Sequence, residues 1–255
     1  MSNAPARPEP QTDETIIFLH GGNMCGATWE GVAEHLPDRH LLMPDLPGYG
    51  DRAANEDWPG LPAAADDIAE LIRNEAHDGK AHVVGLSTGG FTALHLASRH
   101  PELVRSLCIS GVAYDGYAPL QKAIISPQAR LWHRRWYWSV ISLPFRLPKA
   151  ERADFVAMAA SASPTTNQRL LRDVINGTQL EPFDYDGPFL AVAAQHEGAF
   201  VRKAFPSLRK LAPQLQTWIA PRMIHPWSAQ NPELFARMVA TFADTGRWNG
   251  IATNQ

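Results

Sequence analysis

The sequence predicts an α/β fold: a mostly parallel, doubly wound sheet of about six strands, covered by helices on both faces and interrupted by a helical insertion. Three observations carry this. Short apolar runs recur along the chain, and they are continuous rather than alternating, the mark of strands buried on both faces. Stretches with apolar residues at helical spacing separate them, and strand–helix alternation implies parallel strands joined by crossover helices. Between residues 114 and 186 that alternation stops, and helical patterns and prolines take its place.

The elements follow in chain order. Residues 1–13 are polar and proline-rich, lack the apolar stretch of a secretory signal, and read as a disordered tail. TIIFL at 15–19 is the first strand, followed by a helix over 27–36. HLLMP at 40–44 is the second strand, and DLPGYG at 45–50 is a turn-rich loop. Leu61, Ala65, Ile68 and Ile72 recur at helical spacing, which predicts an amphipathic helix over 61–76 with Pro62 tolerated in its first turn. AHVV at 81–84 is the third strand, and 91–99 is a helix stopped near Pro101. Strands are expected at 105–111, 188–194 and 216–220, and a last helix at 232–243. The core therefore takes 14–113 and 187–245, the insertion 114–186 lies as a lid over one end of the sheet, and 246–255 is a C-terminal tail.

Composition narrows the function. A chain of 255 residues, 45% hydrophobic, can bury one large core. The net charge is −3 with acids and bases mixed, and this excludes the basic stripe of a nucleic-acid binder. No apolar run is long enough to cross a bilayer, so no membrane partner is expected. Cys25 and Cys108 cannot build a disulfide scaffold and read as free thiols of a reducing, cytoplasmic compartment. Metal-ligand spacings, phosphate-cradling glycine loops and dinucleotide fingerprints are all missing, so no metal and no cofactor are expected. The partner is a small-molecule substrate, and the oligomeric state is left open.

The chemistry centres on Gly85-Leu86-Ser87-Thr88-Gly89. If a strand runs into Leu86 and a helix begins at Thr88, the chain reverses within about two residues, which crowds the backbone on either side of the apex. Residues two before and two after the apex then fit only without side chains, and Ser87 is pushed outward. A serine hydroxyl needs a base, and the base an orienting acid. His225 follows the sixth strand and Glu197 the fifth, so both stand at strand carboxyl ends with Ser87. An oxyanion needs two backbone N–H groups. Thr88, after the nucleophile, supplies one, and Gly22, in the loop His20-Gly21-Gly22-Asn23 after the first strand, supplies the other.

Four motifs occur together: His20-Gly21-Gly22 followed by Trp29, Asp45-Leu46-Pro47-Gly48-Tyr49-Gly50, Gly85 to Gly90, and His225 ahead of Asn231-Pro232-Glu233. In that order the chain resembles the α/β-hydrolase superfamily over nearly its whole length, and within it the small bacterial serine esterases. The resemblance implies a cofactor-free hydrolase of a carboxylic ester, thioester or lactone of a small apolar molecule, with Ser87, Glu197 and His225 as its triad. Most relatives carry Asp where this chain has Glu197, and some place the acid after the fourth strand, where Asp115 stands as the alternative. Ser87 sets the chain apart from haloalkane dehalogenases and epoxide hydrolases, which carry Asp at the apex. Hydroxynitrile lyase, cofactor-free haloperoxidase, acyltransferase and a non-enzymatic ligand sensor use a similar triad and stay open.

Other conspicuous residues have plainer readings. His20 is expected to hold its loop by hydrogen bonds, and His95 to pack on the helix after Ser87. Cys25 reads as a small buried hydrophobe. Trp132, Trp136 and Trp138 either line an apolar substrate pocket or form the insertion's own small core. Arg134 and Arg135 read as a solvated face.

Overall fold

The computed structural model describes residues 14–143, 149–180 and 182–250. The tail expected at 1–13 lies outside them, as does 251–255 of the C-terminal tail. Six strands, β1 (Thr15–Leu19), β2 (His40–Leu42), β3 (Ala81–Leu86), β4 (Val104–Ser110), β5 (Phe189–Ala194) and β6 (Gln216–Ala220), form one parallel sheet in the order β2-β1-β3-β4-β5-β6.

The strand residues sort into two cores by parity, because successive side chains point to opposite faces. Ile17, Leu19, Val83, Leu107, Ile109, Phe189 and Ala191 belong to one buried cluster, and Ile16, Phe18, Val84, Leu86, Cys108, Leu190 and Val192 to the other. The first is covered by α2 (Leu61–Glu75) and α3 (Thr88–Arg99), whose Ile68, Ile72, Leu94 and Ala97 face the sheet. The second is covered by the short α1 (Glu30–Ala33) and the last helix, which contributes Leu234, Phe235, Met238 and Phe242. This double burial is why the strands read as unbroken apolar runs.

Among the described residues four α-helices stand between β4 and β5: α4 (Pro119–Gln128), α5 (Arg135–Ile141), α6 (Lys149–Ala159) and α7 (Pro164–Ile175). Then come α8 (Ala199–Lys203), α9 (Phe205–Leu211), α10 (Trp227–Gln230) and α11 (Pro232–Thr245). The start and stop of α11 were written in the sequence. Asn231 Oδ1 accepts the Leu234 N–H at 3.0 Å, Pro232 opens the first turn, and Gly246 closes the helix at φ 65°. The helix expected over 27–36 is instead a 3-10 turn at Gly26–Trp29 running into the one-turn α1. Gly26 explains the difference: a Cβ there would stand 2.0 Å from the Met43 carbonyl oxygen, so this segment is pressed against the second strand's exit.

The sheet order places β1 between β2 and β3. Chain winding therefore reverses there, and the loops after β1 and β3 part to leave a crevice at the strands' carboxyl ends. Those two loops carry Gly22 and Ser87.

Candidate active site

Ser87 sits at the β3–α3 turn with φ 53° and ψ −113°, a conformation sparsely populated by side-chain-bearing residues and costing about 1–3 kcal/mol. The flanking glycines make it possible. A Cβ on Gly85 would lie 2.3 Å from the Gly89 carbonyl oxygen, and one on Gly89 would lie 2.1 Å from that of Leu19. The Ser87 N–H donates to the Ser110 carbonyl at 2.8 Å, which ties the turn to the end of β4. Among the described residues Ser87 Oγ has no hydrogen-bond partner.

The loops after β5 and β6 are stitched together before they present side chains. Gln195 N–H donates to the Ala220 carbonyl at 2.9 Å, and His196 N–H to that of Met223 at 2.8 Å. Glu197 then turns inward with its side chain only 2% exposed. Oε1 accepts the Ala194 N–H at 2.6 Å, and Oε2 lies 2.7 Å from His225 Nδ1. With Nδ1–H directed at this carboxylate, Nε2 is left as the free, basic nitrogen. Gly111, at φ 70°, makes room for the ring: a Cβ there would stand 2.5 Å from His225 Cε1 and 3.4 Å from Glu197 Oε2. The imidazole thus packs on the residue next to Ser110, the same residue that holds the Ser87 backbone.

Asp115 is not brought to this histidine. It is exposed, in a turn where Gly116 N–H donates to Ala113 and Thr178 N–H to Tyr114, backed against Gly177 at the end of α7.

Gly22 and Thr88 are neighbours, since a Cβ on Gly22 would stand 3.0 Å from Thr88 Oγ1. Thr88 opens α3, where a backbone N–H has no intrahelical acceptor. The Gly22 loop is held from two sides. His20, fully buried, has Nδ1 2.8 Å from the Gly21 carbonyl, and its Nε2 accepts the Leu46 N–H at 2.9 Å. Burial lowers its pKa to about 4 and keeps it neutral, which suits an imidazole accepting a backbone N–H. From the other side Asn23, at φ 60°, donates from Nδ2 to the Ala159 carbonyl and to Asn167 Oδ1, both at 3.0 Å.

A cavity of about 650 Å³ opens beside these groups. Gly22, Glu197 and His225 line it together with Tyr117, Ile125, Trp138, Phe155 and Phe200, so its wall is largely apolar and partly built by α4, α5 and α6. Of the three tryptophans expected at a pocket, only Trp138 lines this one. Trp136 is 59% exposed: two residues apart on a helix means about 200° of rotation, so one faces the cavity and the other solvent. Trp132 lies before α5, where its carbonyl accepts the Trp138 indole N–H at 2.6 Å. Asn23, Gly111, Tyr117, Phe155 and Phe200 had not stood out in the sequence. Only Asn23 carried a signal, as the residue after two glycines that best tolerates a left-handed backbone.

A family model described as alpha/beta hydrolase fold matches residues 14–225. A protein of Gibberella zeae described as an AB hydrolase superfamily protein is 32% identical over 243 residues, covering 89% of this chain and 78% of that protein. An esterase of Mycobacterium tuberculosis is 38% identical over 97 residues, covering 38% of this chain and 32% of that protein. Among solved structures, a thermophilic esterase from Thermogutta terrifontis superposes with a TM-score of 0.74 at 21% identity, over 94% of this chain and 92% of that one.

Proposed function

From the premise that this chain belongs to the α/β-hydrolase family, we propose that it is a serine hydrolase cleaving a carboxylic ester of a small apolar substrate. One observation carries the reading: the Glu197–His225 pair, 2.7 Å apart, packs on Gly111 beside the strand end that holds the Ser87 turn.

In this reading Ser87 Oγ attacks the ester carbonyl as His225 Nε2 takes its proton. Glu197 keeps the imidazole in the useful tautomer and stabilises the imidazolium. The N–H groups of Thr88 and Gly22 bind the oxyanion. Collapse of the tetrahedral intermediate breaks the ester C–O bond, and His225 returns the proton to the departing alcohol. Water, giving a proton to His225, then attacks the acyl-serine. The acid leaves, and Ser87 regains its hydrogen. The apolar wall of Tyr117, Ile125, Trp138, Phe155 and Phe200 favours an apolar acyl or alcohol group, with α4 to α6 serving as the lid. Thioesters and lactones present the same carbonyl chemistry and belong to the same proposal. A cytoplasmic location is part of it; no helix among the described residues is long and apolar enough to cross a membrane.

The test is p-nitrophenol release from p-nitrophenyl butyrate by the wild type and Ser87→Ala at matched concentration. The expected result is steady multiple turnover that falls on the order of 10⁶-fold in the mutant. Equal, near-background rates in both would overturn the esterase reading and favour the lyase or the sensor.

A further inference from the structure

The insertion between β4 and β5 exposes several large apolar side chains on its outer face. Leu120 and Ile124, one turn apart on α4, are 74% and 52% exposed. Trp136, Val140 and Leu143, at helical spacing on and just after α5, are 59%, 57% and 56% exposed. Ile141 and Ile224 are exposed and also line the cavity, so the apolar surface continues into its mouth. Large exposed apolar side chains repeated along two consecutive helices mark a contact surface.

The charge of the same segment says what it contacts. From residue 116 to 150 there is no Asp or Glu, while Lys122, Arg130, Arg134, Arg135, Arg146 and Lys149 all fall there together with His133; exposed Asp115 and Glu151 border the stretch. The chain as a whole is net negative, at −3. Arg130, Arg134, Arg135 and Lys149 are exposed and make no ion pair among the described residues. Apolar stripes with an exposed Trp, flanked by unneutralised Arg and Lys, are the chemistry of a helix lying in an anionic lipid interface. A second copy of this chain fits less well, because a self-complementary contact would set these predominantly basic segments against each other. The lack of a bilayer-length apolar run bears on spanning a membrane, and a surface contact needs no such run.

We propose that α4 and α5 form a docking face for an anionic lipid surface, which brings the cavity mouth against the interface where apolar esters dissolve. Docking needs neither Ser87 nor ester hydrolysis, so it stands or falls separately from the function proposed above.

The test is co-flotation of the full chain, carrying Ser87→Ala to leave lipid esters intact, with vesicles of phosphatidylcholine alone or mixed with phosphatidylglycerol. The expected result is binding to the mixed vesicles, weak binding to phosphatidylcholine alone, and release as salt rises. Trp136→Ser should weaken binding, and Arg134→Glu with Arg135→Glu should lower it by about tenfold or more, with unchanged far-UV circular dichroism. No flotation with the mixed vesicles, or equal flotation of the charge-reversed variant, would overturn the proposal. So would a dimer, seen by sedimentation velocity, that the same charge reversal dissociates while vesicles stay bare. Capture of an acidic carrier protein without vesicle binding would also overturn it.

Discussion

Glu197 holds His225 from a position that is itself fixed: one carboxylate oxygen lies 2.7 Å from Nδ1 while the other accepts the Ala194 N–H at 2.6 Å. Both oxygens are committed and the side chain is shielded from water, so the imidazole's orientation is set by the end of β5. This makes the acid assignable by mutation. Glu197→Gln keeps the shape but offers Nδ1 a mixed amide, and kcat on p-nitrophenyl butyrate should fall on the order of 10⁴-fold. Glu197→Asp cannot reach both partners and should fall less. Asp115→Asn should stay within about twofold, since its side chain sits in an exposed turn. A loss in Asp115→Asn to match that of Glu197→Gln would reverse the assignment.

The Ser87 turn stores strain, and this predicts opposite signs for activity and stability. Ser87→Gly relieves the φ 53°, ψ −113° conformation. It should abolish ester turnover while raising stability by about 1 kcal/mol, or a few degrees in Tm. Calorimetry of the two proteins decides it, and an unchanged or lower Tm in Ser87→Gly counts against stored strain.

Gly111 is predicted to act through the histidine. Gly111→Ala puts a Cβ 2.5 Å from His225 Cε1 at a backbone φ of 70°. Shifting the ring by about an ångström should cost on the order of 10²-fold in kcat. Gly31→Ala is the matched control. It lies in α1 with nothing nearer than Pro232 Cβ at 3.8 Å, and should leave kcat unchanged. Equal kcat in Gly111→Ala and wild type would remove Gly111 from the site.

The buried His20 predicts a pH dependence of stability. Its pKa is lowered from 6.5 to about 4, chiefly by burial. The unfolded chain takes up the proton from about pH 6.5 downward, whereas the folded chain resists until about pH 4. Stability is therefore full above pH 6.5 and declines as pH falls towards 4, by about 3 kcal/mol at most from this group. His95, lowered to about 4 mainly by burial, adds in the same window. Urea midpoints at pH 7.5 and 5.0 should differ in the wild type. His20→Gln, whose amide oxygen can still accept the Leu46 N–H, should show a smaller difference.

The fold was legible because burial on both sheet faces writes itself as continuous apolar runs, and because glycines at 85 and 89 are demanded by backbone contact. The candidate nucleophile, base and acid were legible for a related reason: each follows a strand, and parallel strands bring their carboxyl ends together. The cavity wall was not. Trp136 and Trp138 look equivalent in sequence, and only the phase of a seven-residue helix assigns one to solvent and the other to the cavity. Phe155 and Phe200 reach the cavity from elements far apart in the chain, and no local pattern encodes that meeting. Gly111 was hidden because its role depends on a ring from a residue more than a hundred positions away.

Asn23 joins the Gly22 loop to the insertion. Its amide donates to the Ala159 carbonyl at the end of α6 and to Asn167 Oδ1 on α7, and Asn167 Nδ2 in turn donates to the Ala162 carbonyl at 3.3 Å. The loop's geometry therefore depends on α6, which helps wall the cavity, and on α7. Asn23→Gly keeps the left-handed backbone, φ 60°, and removes only the side-chain bonds. Losing two buried hydrogen bonds and orphaning their acceptors should cost about 1–3 kcal/mol in stability. If the Gly22 N–H binds the oxyanion, loosening its neighbour should also lower kcat by about tenfold or more while KM changes little, because that contact strengthens in the transition state. A rise in KM at constant kcat would instead place Asn23 in substrate binding. A stability loss with both constants unchanged would leave it as a structural clip between the loop and the insertion.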